Sequence, residues 1–238
     1  MEQASTKDCR DLNDARDLAS LLSLRSLLSL ECRPMATHFL FDGPEQDLTV
    51  VLAHGAGAPM DSTFMNLMAR GLAAEGLRVA RFEFPYMRAR REEKRNKPPD
   101  REPVLRQAWL DAIAELGGGE RVIIGGKSMG GRFASMVADE AGARGLVCLG
   151  YPFHPPGQPA KLRVAHLEHL KTPALIVQGT RDQFGTREEV EGYTLSPAIR
   201  FLWLGDGDHS FKPRAASGKT ERGHIEEAVR AVAAFARG

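Results

Sequence analysis

From residue 37 onward, short apolar runs alternate with longer amphipathic stretches. The short runs, rich in Val, Ile, Leu and Phe, are typical of buried strands, and the stretches between them carry helix start and stop signals. Strands are predicted at residues 39–41, 48–53, 78–84, 121–125, 145–150, 174–178 and 199–204. Helices are predicted at residues 61–75, 104–116, 129–141, 187–193 and 224–236. This alternation predicts an α/β fold, with a mostly parallel central sheet and helices on both faces.

One folded domain and an N-terminal extension are expected. Residues 35–238 show no internal repeat, linker or long insertion, which predicts a single domain without a large lid. Residues 1–34 contain a short apolar run that Arg25 interrupts, and it fits neither a secretory signal nor a membrane span. We expect this extension to be poorly ordered or a weak helix. Met35 directly precedes the domain and is a candidate functional start.

Composition argues against several classes of function. The 238 residues carry a net charge of +1, which argues against bulk attraction to nucleic acid or to membranes. Cys9, Cys32 and Cys148 are odd in number and far apart, so neither a disulfide framework nor a zinc site is predicted. A reducing, cytoplasmic location is expected. Without metal-ligand spacing or a nucleotide fingerprint, we expect no cofactor and no metal.

The segment Gly126-Lys-Ser-Met-Gly130 follows a predicted strand and opens a predicted helix. Strand, sharp turn and helix are the setting in which G-x-S-x-G forms a nucleophile elbow, with Ser128 exposed above the sheet. The two glycines leave space for a strained turn. A phosphate-binding P-loop is the alternative for Gly-Lys-Ser, but its spacing requires a glycine where Arg121 stands.

A serine nucleophile needs a base and a carboxylate, which follow it in this chain order. Asp182 comes after the strand 174–178 and His209 after the strand 199–204, so both are placed at the edge where Ser128 lies. Asp206 and Asp208 are rival acids, but they lie too near His209 in sequence to reach its ring easily. The remaining histidines considered are His38 before the first strand, His166 and His169 on a helix face, and His224 at the start of the last helix.

Two backbone N–H groups are expected to stabilise an oxyanion. Met129, after the nucleophile, supplies one, and the small-residue loop after the strand 48–53 supplies the other. In that loop Ala56 is the predicted donor, Gly57 is the neighbouring option, and His54 orients the loop.

Further residues near the edge are candidates for the substrate pocket or its rim. Tyr151, Phe153 and His154 follow the strand 145–150 and are predicted to line the pocket with His54 and Gly57. A rigid Pro-rich turn is the alternative for them. Lys127 is expected to pack or pair structurally. Residues 86–102 are predicted to be a charged loop, either simply solvated or a mobile basic rim for an anionic substrate. Its cations are Arg88, Arg90, Arg91, Lys94, Arg95, Lys97 and Arg101.

With these motifs in this order, the chain resembles the α/β-hydrolase superfamily. Segments 81–87, 125–132, 150–156, 178–182 and 205–209 are most similar to a little-characterised branch of testis-expressed-protein type, distantly similar to dienelactone hydrolases. The resemblance implies the fold over residues 36–238 and a triad of Ser128, His209 and Asp182. It implies no substrate, and dienelactone hydrolases carry a cysteine where this chain has Ser128.

The expected function is that of a serine hydrolase. Ser128 would form an acyl-enzyme with an ester or thioester substrate, a small or medium acyl compound that is neutral or anionic. The lack of an insertion favours an open site. The alternatives are a catalytically idle interaction module with the same fold, and a peptidase. The sequence leaves the oligomeric state open.

Overall fold

The computed structural model describes residues 37–238, and the predictions for the N-terminal extension and Met35 lie outside them. Within these residues, seven strands form one sheet in the order β1-β3-β2-β4-β5-β6-β7. They are β1 Phe39–Asp42, β2 Thr49–Ala53, β3 Arg78–Phe82, β4 Val122–Lys127, β5 Gly145–Leu149, β6 Ala174–Gly179 and β7 Ile199–Leu204. β1 is antiparallel to β3 at one edge, and the other neighbours are parallel. The predicted mostly parallel sheet is confirmed.

Six α-helices flank the sheet in the described part of the chain. They are α1 Thr63–Ala74, α2 Pro85–Glu93, α3 Glu102–Glu115, α4 Met129–Val137, α5 Arg187–Glu191 and α6 Glu221–Arg237. Within residues 37–238, none of these helices combines the length and apolarity needed to cross a membrane. No connection between strands in this part builds a separate lid.

The apolar runs of the sequence become two cores, one on each face of the sheet. Along β2, Val50 and Leu52 pack with the core that contains the buried faces of α1 and α6, while Val51 and Ala53 pack with that of α3 and α4. Neighbouring strand residues point to opposite faces, so a strand covered on both sides is apolar throughout. Each large aliphatic side chain buried in this way contributes about 1.5–3 kcal/mol.

The prediction of a loop over residues 86–102 is wrong for its first half, which forms α2. Pro85 occupies the first turn, where its missing N–H and fixed φ are favourable. Tyr86 and Met87 are buried and anchor the helix, which ends at Lys94 with a φ of 50°. Because the rest of the helix is charged, it lacks the apolar periodicity by which helices are predicted.

His166 and His169 do not lie on a helix, because the segment from residue 165 to 169 forms turns. This corrects the prediction for both residues.

Parallel strands bring their C-terminal ends to one edge of the sheet. The segments that follow β2, β4, β6 and β7 therefore meet there, and they contain most of the predicted site residues.

Candidate active site

The turn after β4 has the backbone strain expected of a nucleophile elbow. Ser128 has φ 51° and ψ −114°, a conformation rare outside glycine. A Cβ at Gly126 would lie 2.1 Å from the Ala53 carbonyl oxygen, and one at Gly130 would lie 2.3 Å from the same atom. Only glycine allows β2 and α4 to approach the elbow this closely, which accounts for both glycines of the motif.

A hydrogen-bond relay joins the three residues predicted as a triad. His209 Nε2 lies 2.9 Å from Ser128 Oγ, and His209 Nδ1 lies 2.7 Å from Asp182 Oδ2. A carboxylate can only accept, so Nδ1 carries the ring proton. Nε2 is then left with its lone pair directed at the serine hydroxyl. This is the tautomer that a general base requires.

Asp182 is held rigidly in a fully buried position. Its Oδ2 accepts a hydrogen bond from Gln178 Nε2 at 2.9 Å, and its Oδ1 accepts one from the Phe184 N–H at 2.9 Å. Gln178 Oε1 in turn accepts from the Tyr151 N–H at 2.7 Å, which ties the end of β6 to the segment after β5. The carboxylate that faces His209 therefore has little freedom to rotate.

The two rival carboxylates are engaged elsewhere. Asp206 pairs with Arg181 and Arg214. Asp208 accepts hydrogen bonds from the backbone N–H groups of Ser210 and Lys212 within its own turn. Neither of these aspartates forms a hydrogen bond with the His209 ring.

The electrostatic surroundings keep His209 unprotonated. Burial lowers the pKa of His209 below its ordinary value of 6.5, and the hydrogen bond to Asp182 opposes this. The positive charge of Lys127 lowers the same pKa further, whereas Asp208 raises it. The ring is thus neutral at neutral pH and able to accept the serine proton.

The loop after β2 passes directly beside the elbow. A Cβ at Gly55 would lie 3.7 Å from Ser128 Cβ, in ordinary contact. His54 is fully buried, its Nδ1–H donates to the Gly55 carbonyl at 2.7 Å, and its Nε2 accepts from the Phe84 N–H at 3.2 Å. His54 therefore holds the loop in place from its buried side, as predicted. The prediction that His54 also lines the pocket is wrong, because its side chain is not exposed.

The same loop is held from its other side by α2. The Tyr86 hydroxyl donates to the Ala56 carbonyl at 3.0 Å. Ala56 and Gly57 are themselves exposed at the surface. The loop combines an accessible backbone with buried supports, as an oxyanion-binding loop requires.

Three residues predicted to line the pocket are instead part of the core. Tyr151 and Phe153 are 0% exposed and His154 is 2% exposed. The Tyr151 hydroxyl donates to the Arg163 carbonyl at 3.0 Å, and the Phe153 ring packs against that of Tyr151 at 4.8 Å. The chain after β5 packs inward, and the Phe153 side chain lies directly against Gly185 in the loop that carries Asp182. The pocket prediction is wrong for them.

Three residues that contact the site are not predicted by the sequence. Gln178 and Tyr86 are described above, and the Phe184 ring lies against the His209 ring with centroids 4.2 Å apart. Phe184 lies between Gly179 and Gly185, in the same loop as Asp182, and this position in the sequence is the signal that could have identified it. Tyr86 lies in segment 81–87, which carries the family resemblance, but the prediction of a loop over residues 86–102 gives it no role.

Within the part of the chain that the structure describes, three of the seven cations of the basic segment form ion pairs with nearby carboxylates. Arg91 pairs with Asp61 and with Glu83, whose side chain is only 5% exposed. Arg95 and Lys97 both pair with Glu93. These pairs and the helical conformation of α2 argue against a mobile loop here, and the basic rim for an anionic substrate stays a prediction.

A second serine–histidine pair, between Ser135 on α4 and His166 in the turn of residues 165–169, has the wrong hydrogen-bond direction. Ser135 Oγ is 2.8 Å from His166 Nε2 and donates its one proton to the Arg132 carbonyl at 2.6 Å. His166 must then be the donor to Ser135. Ser135 is also 3% exposed, so this pair connects two segments and cannot start nucleophilic attack.

Comparison with known proteins agrees with the fold. Residues 46–237 match the family model described as an alpha/beta hydrolase domain. The chain therefore belongs to the α/β-hydrolase superfamily. This membership supports a hydrolase function. The likeness to the testis-expressed-protein branch stays a prediction.

Several solved structures share the fold at low sequence identity. An α/β serine hydrolase homologue from Coxiella burnetii has a TM-score of 0.61 at 18% identity, covering 84% of this chain and 91% of that one. An α/β serine hydrolase without a lid from Xanthomonas campestris has a TM-score of 0.55 at 18% identity, covering 84% and 96%. A monoacylglycerol lipase from Paleococcus ferrophilus has a TM-score of 0.56 at 17% identity, covering 82% and 99%.

Proposed function

We propose that this protein is a serine hydrolase that cleaves ester or thioester bonds through an acyl-enzyme on Ser128. The observation that carries the proposal is the continuous relay from Ser128 through His209 to Asp182, with distances of 2.9 and 2.7 Å. An interaction module with an idle site would not need these hydrogen bonds, the strained turn at Ser128 and the buried Asp182 together. These features favour the enzyme over the interaction module.

The first half of the reaction would form the acyl-enzyme. Ser128 Oγ attacks the carbonyl carbon of the substrate while its proton passes to His209 Nε2, and Asp182 stabilises the resulting imidazolium. In this proposal the backbone N–H groups of Met129 and Ala56 stabilise the developing oxyanion. Each such donor is worth about 2.7–4 kcal/mol of barrier. Collapse of the intermediate expels the alcohol or thiol, which takes the proton from His209.

The second half would release the acid. His209 removes a proton from water, the resulting oxygen attacks the acyl carbon, and Ser128 leaves with the proton returned by the ring. Residues 56–58 in the loop after β2 are exposed, which supports a small or medium acyl substrate entering an open site.

We further propose that the substrate is uncharged near the reacting bond. Arg91, Arg95 and Lys97 are already paired with carboxylates, which weakens the case for an anion held by the basic segment. Turnover of matched anionic and neutral esters should then respond equally to added salt. A selective loss of the anionic activity at high salt would favour the basic rim instead.

Labelling with a fluorophosphonate probe tests the proposed function. Wild type is expected to be labelled at Ser128, and Ser128→Ala and His209→Ala are expected to abolish labelling. Ser135→Ala and His166→Ala remove the second serine–histidine pair and serve as matched controls that retain labelling. Well-folded wild type that stays unlabelled would support the interaction module.

A further inference from the structure

Lys127, the last residue of β4, places a cation beside the relay. Its Nζ donates a hydrogen bond to the backbone carbonyl oxygen of His209. The Phe64 and Phe211 rings have centroids 5.5 and 5.6 Å from Nζ. Two aromatic rings and one carbonyl oxygen therefore surround the ammonium group of the Lys127 side chain.

This enclosure costs free energy that a neutral side chain would avoid. Burial lowers the pKa of Lys127 from 10.5 to about 8, while Asp182 and Asp208 partly oppose the shift. Among the described residues neither aspartate forms a direct ion pair with Lys127. Asp182 pairs with His209, and Asp208 accepts hydrogen bonds from the N–H groups of its own turn. Lys127 is half-buried, and a cation withdrawn from water without a direct counter-ion is not explained by stability alone. A contribution to the neighbouring relay gives a reason for a lysine at this position.

Three strand ends converge on the ammonium. A Cβ at Gly150, directly after β5, would lie 2.7 Å from Lys127 Nζ, 3.0 Å from the His209 carbonyl oxygen and 3.4 Å from His209 Nδ1. Gly150 also has a φ of 71°, so a side chain there would be strained as well as crowded. The elbow, the end of β5 and the histidine loop thus meet at one closely packed point.

We propose that Lys127 is a positioning residue, whose ammonium joins the nucleophile elbow to the histidine loop and whose charge favours the neutral imidazole that accepts the Ser128 proton. This inference rests on the proposed function. In this role Lys127 neither donates nor accepts a proton during the reaction. Its hydrogen bond keeps the His209 ring over the serine, and its charge disfavours a second positive charge a short distance away.

The charges that face His209 come from three segments. Asp182 and Asp208 favour the imidazolium, and Lys127 disfavours it. Removing the lysine charge leaves both carboxylates unopposed, so the pKa of His209 rises. Removing the hydrogen bond frees the loop, and a misplacement of about 1 Å at a reacting group costs on the order of 100-fold in rate.

The test is the pH dependence of inactivation by an uncharged fluorophosphonate. Lys127→Met, close in shape but uncharged, is expected to lower the plateau rate constant by about 10- to 100-fold and to move the acidic limb to higher pH. Lys127→Arg keeps the charge and is expected to keep the limb at its wild-type position. Lys212→Met is the matched control, since Lys212 is exposed on the neighbouring loop, and it should behave as wild type.

The outcomes separate this inference from the proposed function. Wild type that is not labelled at Ser128 refutes the hydrolase. A labelled wild type with Lys127→Met unchanged in plateau and limb refutes the role of Lys127, and a lowered plateau with an unmoved limb refutes its electrostatic part. Thermal unfolding of each variant establishes that it is folded. If Lys127→Met does not unfold cooperatively, Lys127→Gln takes its place.

Discussion

Replacing Gln178 by leucine should damage both stability and activity, because this side chain connects the acid to the core. Gln178 is fully buried. Its amide accepts from the Tyr151 N–H at 2.7 Å and donates to Asp182 Oδ2 at 2.9 Å, and to the Tyr151 and Gly185 carbonyls at 3.2 Å each. Leucine has a similar size but can make none of these bonds.

The magnitude follows from the groups left without partners. The buried Tyr151 N–H loses its acceptor, at a cost of about 1–3 kcal/mol, and Asp182 loses a bond to its charged oxygen that contributes about 1.5–3 kcal/mol. Gln178→Leu should therefore lower the free energy of unfolding by roughly 3–5 kcal/mol, out of about 5–15 kcal/mol for a typical domain. Greater freedom of Asp182 should also slow fluorophosphonate inactivation by about 10- to 100-fold.

Urea unfolding measures the first effect and the inactivation rate measures the second. Gln158→Leu is the matched control, because Gln158 is exposed and its side chain makes no hydrogen bond within the described residues. That control should remain within about 0.5 kcal/mol of wild type. If Gln178→Leu also stayed within about 1 kcal/mol of wild type, the hydrogen bonds of Gln178 would not be supporting the site.

Three more outcomes are expected. Burial lowers the pKa of His209 below 6.5, so activity on a neutral ester should persist as the pH falls through 6.5 and should decline only at lower pH. A decline centred at or above pH 6.5 would contradict this expectation. Arg91→Met strands the buried carboxylate that Arg91 neutralises and should cost on the order of 3 kcal/mol in urea unfolding, whereas Arg95→Met, at an exposed pair, should cost about 1 kcal/mol or less. Gly130→Ala places a Cβ 2.3 Å from a β2 carbonyl and should destabilise by at least about 1–3 kcal/mol, while Gly57→Ala, with nothing within 4 Å, should not.

The sequence predicted the parts of the molecule that depend on chain order and strand ends. Ser128, Asp182 and His209 each follow a parallel strand, and such strands end at one edge whatever their length. Tyr151 and Phe153 also follow a strand, yet the direction of the chain beyond it depends on partners distant in sequence, such as the carbonyl of Arg163 that receives the Tyr151 hydroxyl.

The reason that the sequence does not predict helix α2 is different. Only Tyr86 and Met87 are buried along its length, so local apolar periodicity is absent, and an ion pair from Arg91 to Glu83 attaches the helix to the end of β3. Contacts of that kind form only in the folded protein. Hydrophobic patterning alone does not reveal them.

The spacing of the relay along the chain has a consequence for synthesis of the protein. Ser128 and His209 are 81 residues apart, and His209 follows β7, the last strand of the sheet in chain order. A nascent chain that has completed the elbow therefore has a serine without its base. With Ser128 as the proposed nucleophile, reactivity toward a fluorophosphonate should appear only after β7 has joined the sheet, so the onset of labelling during translation should report completion of the sheet.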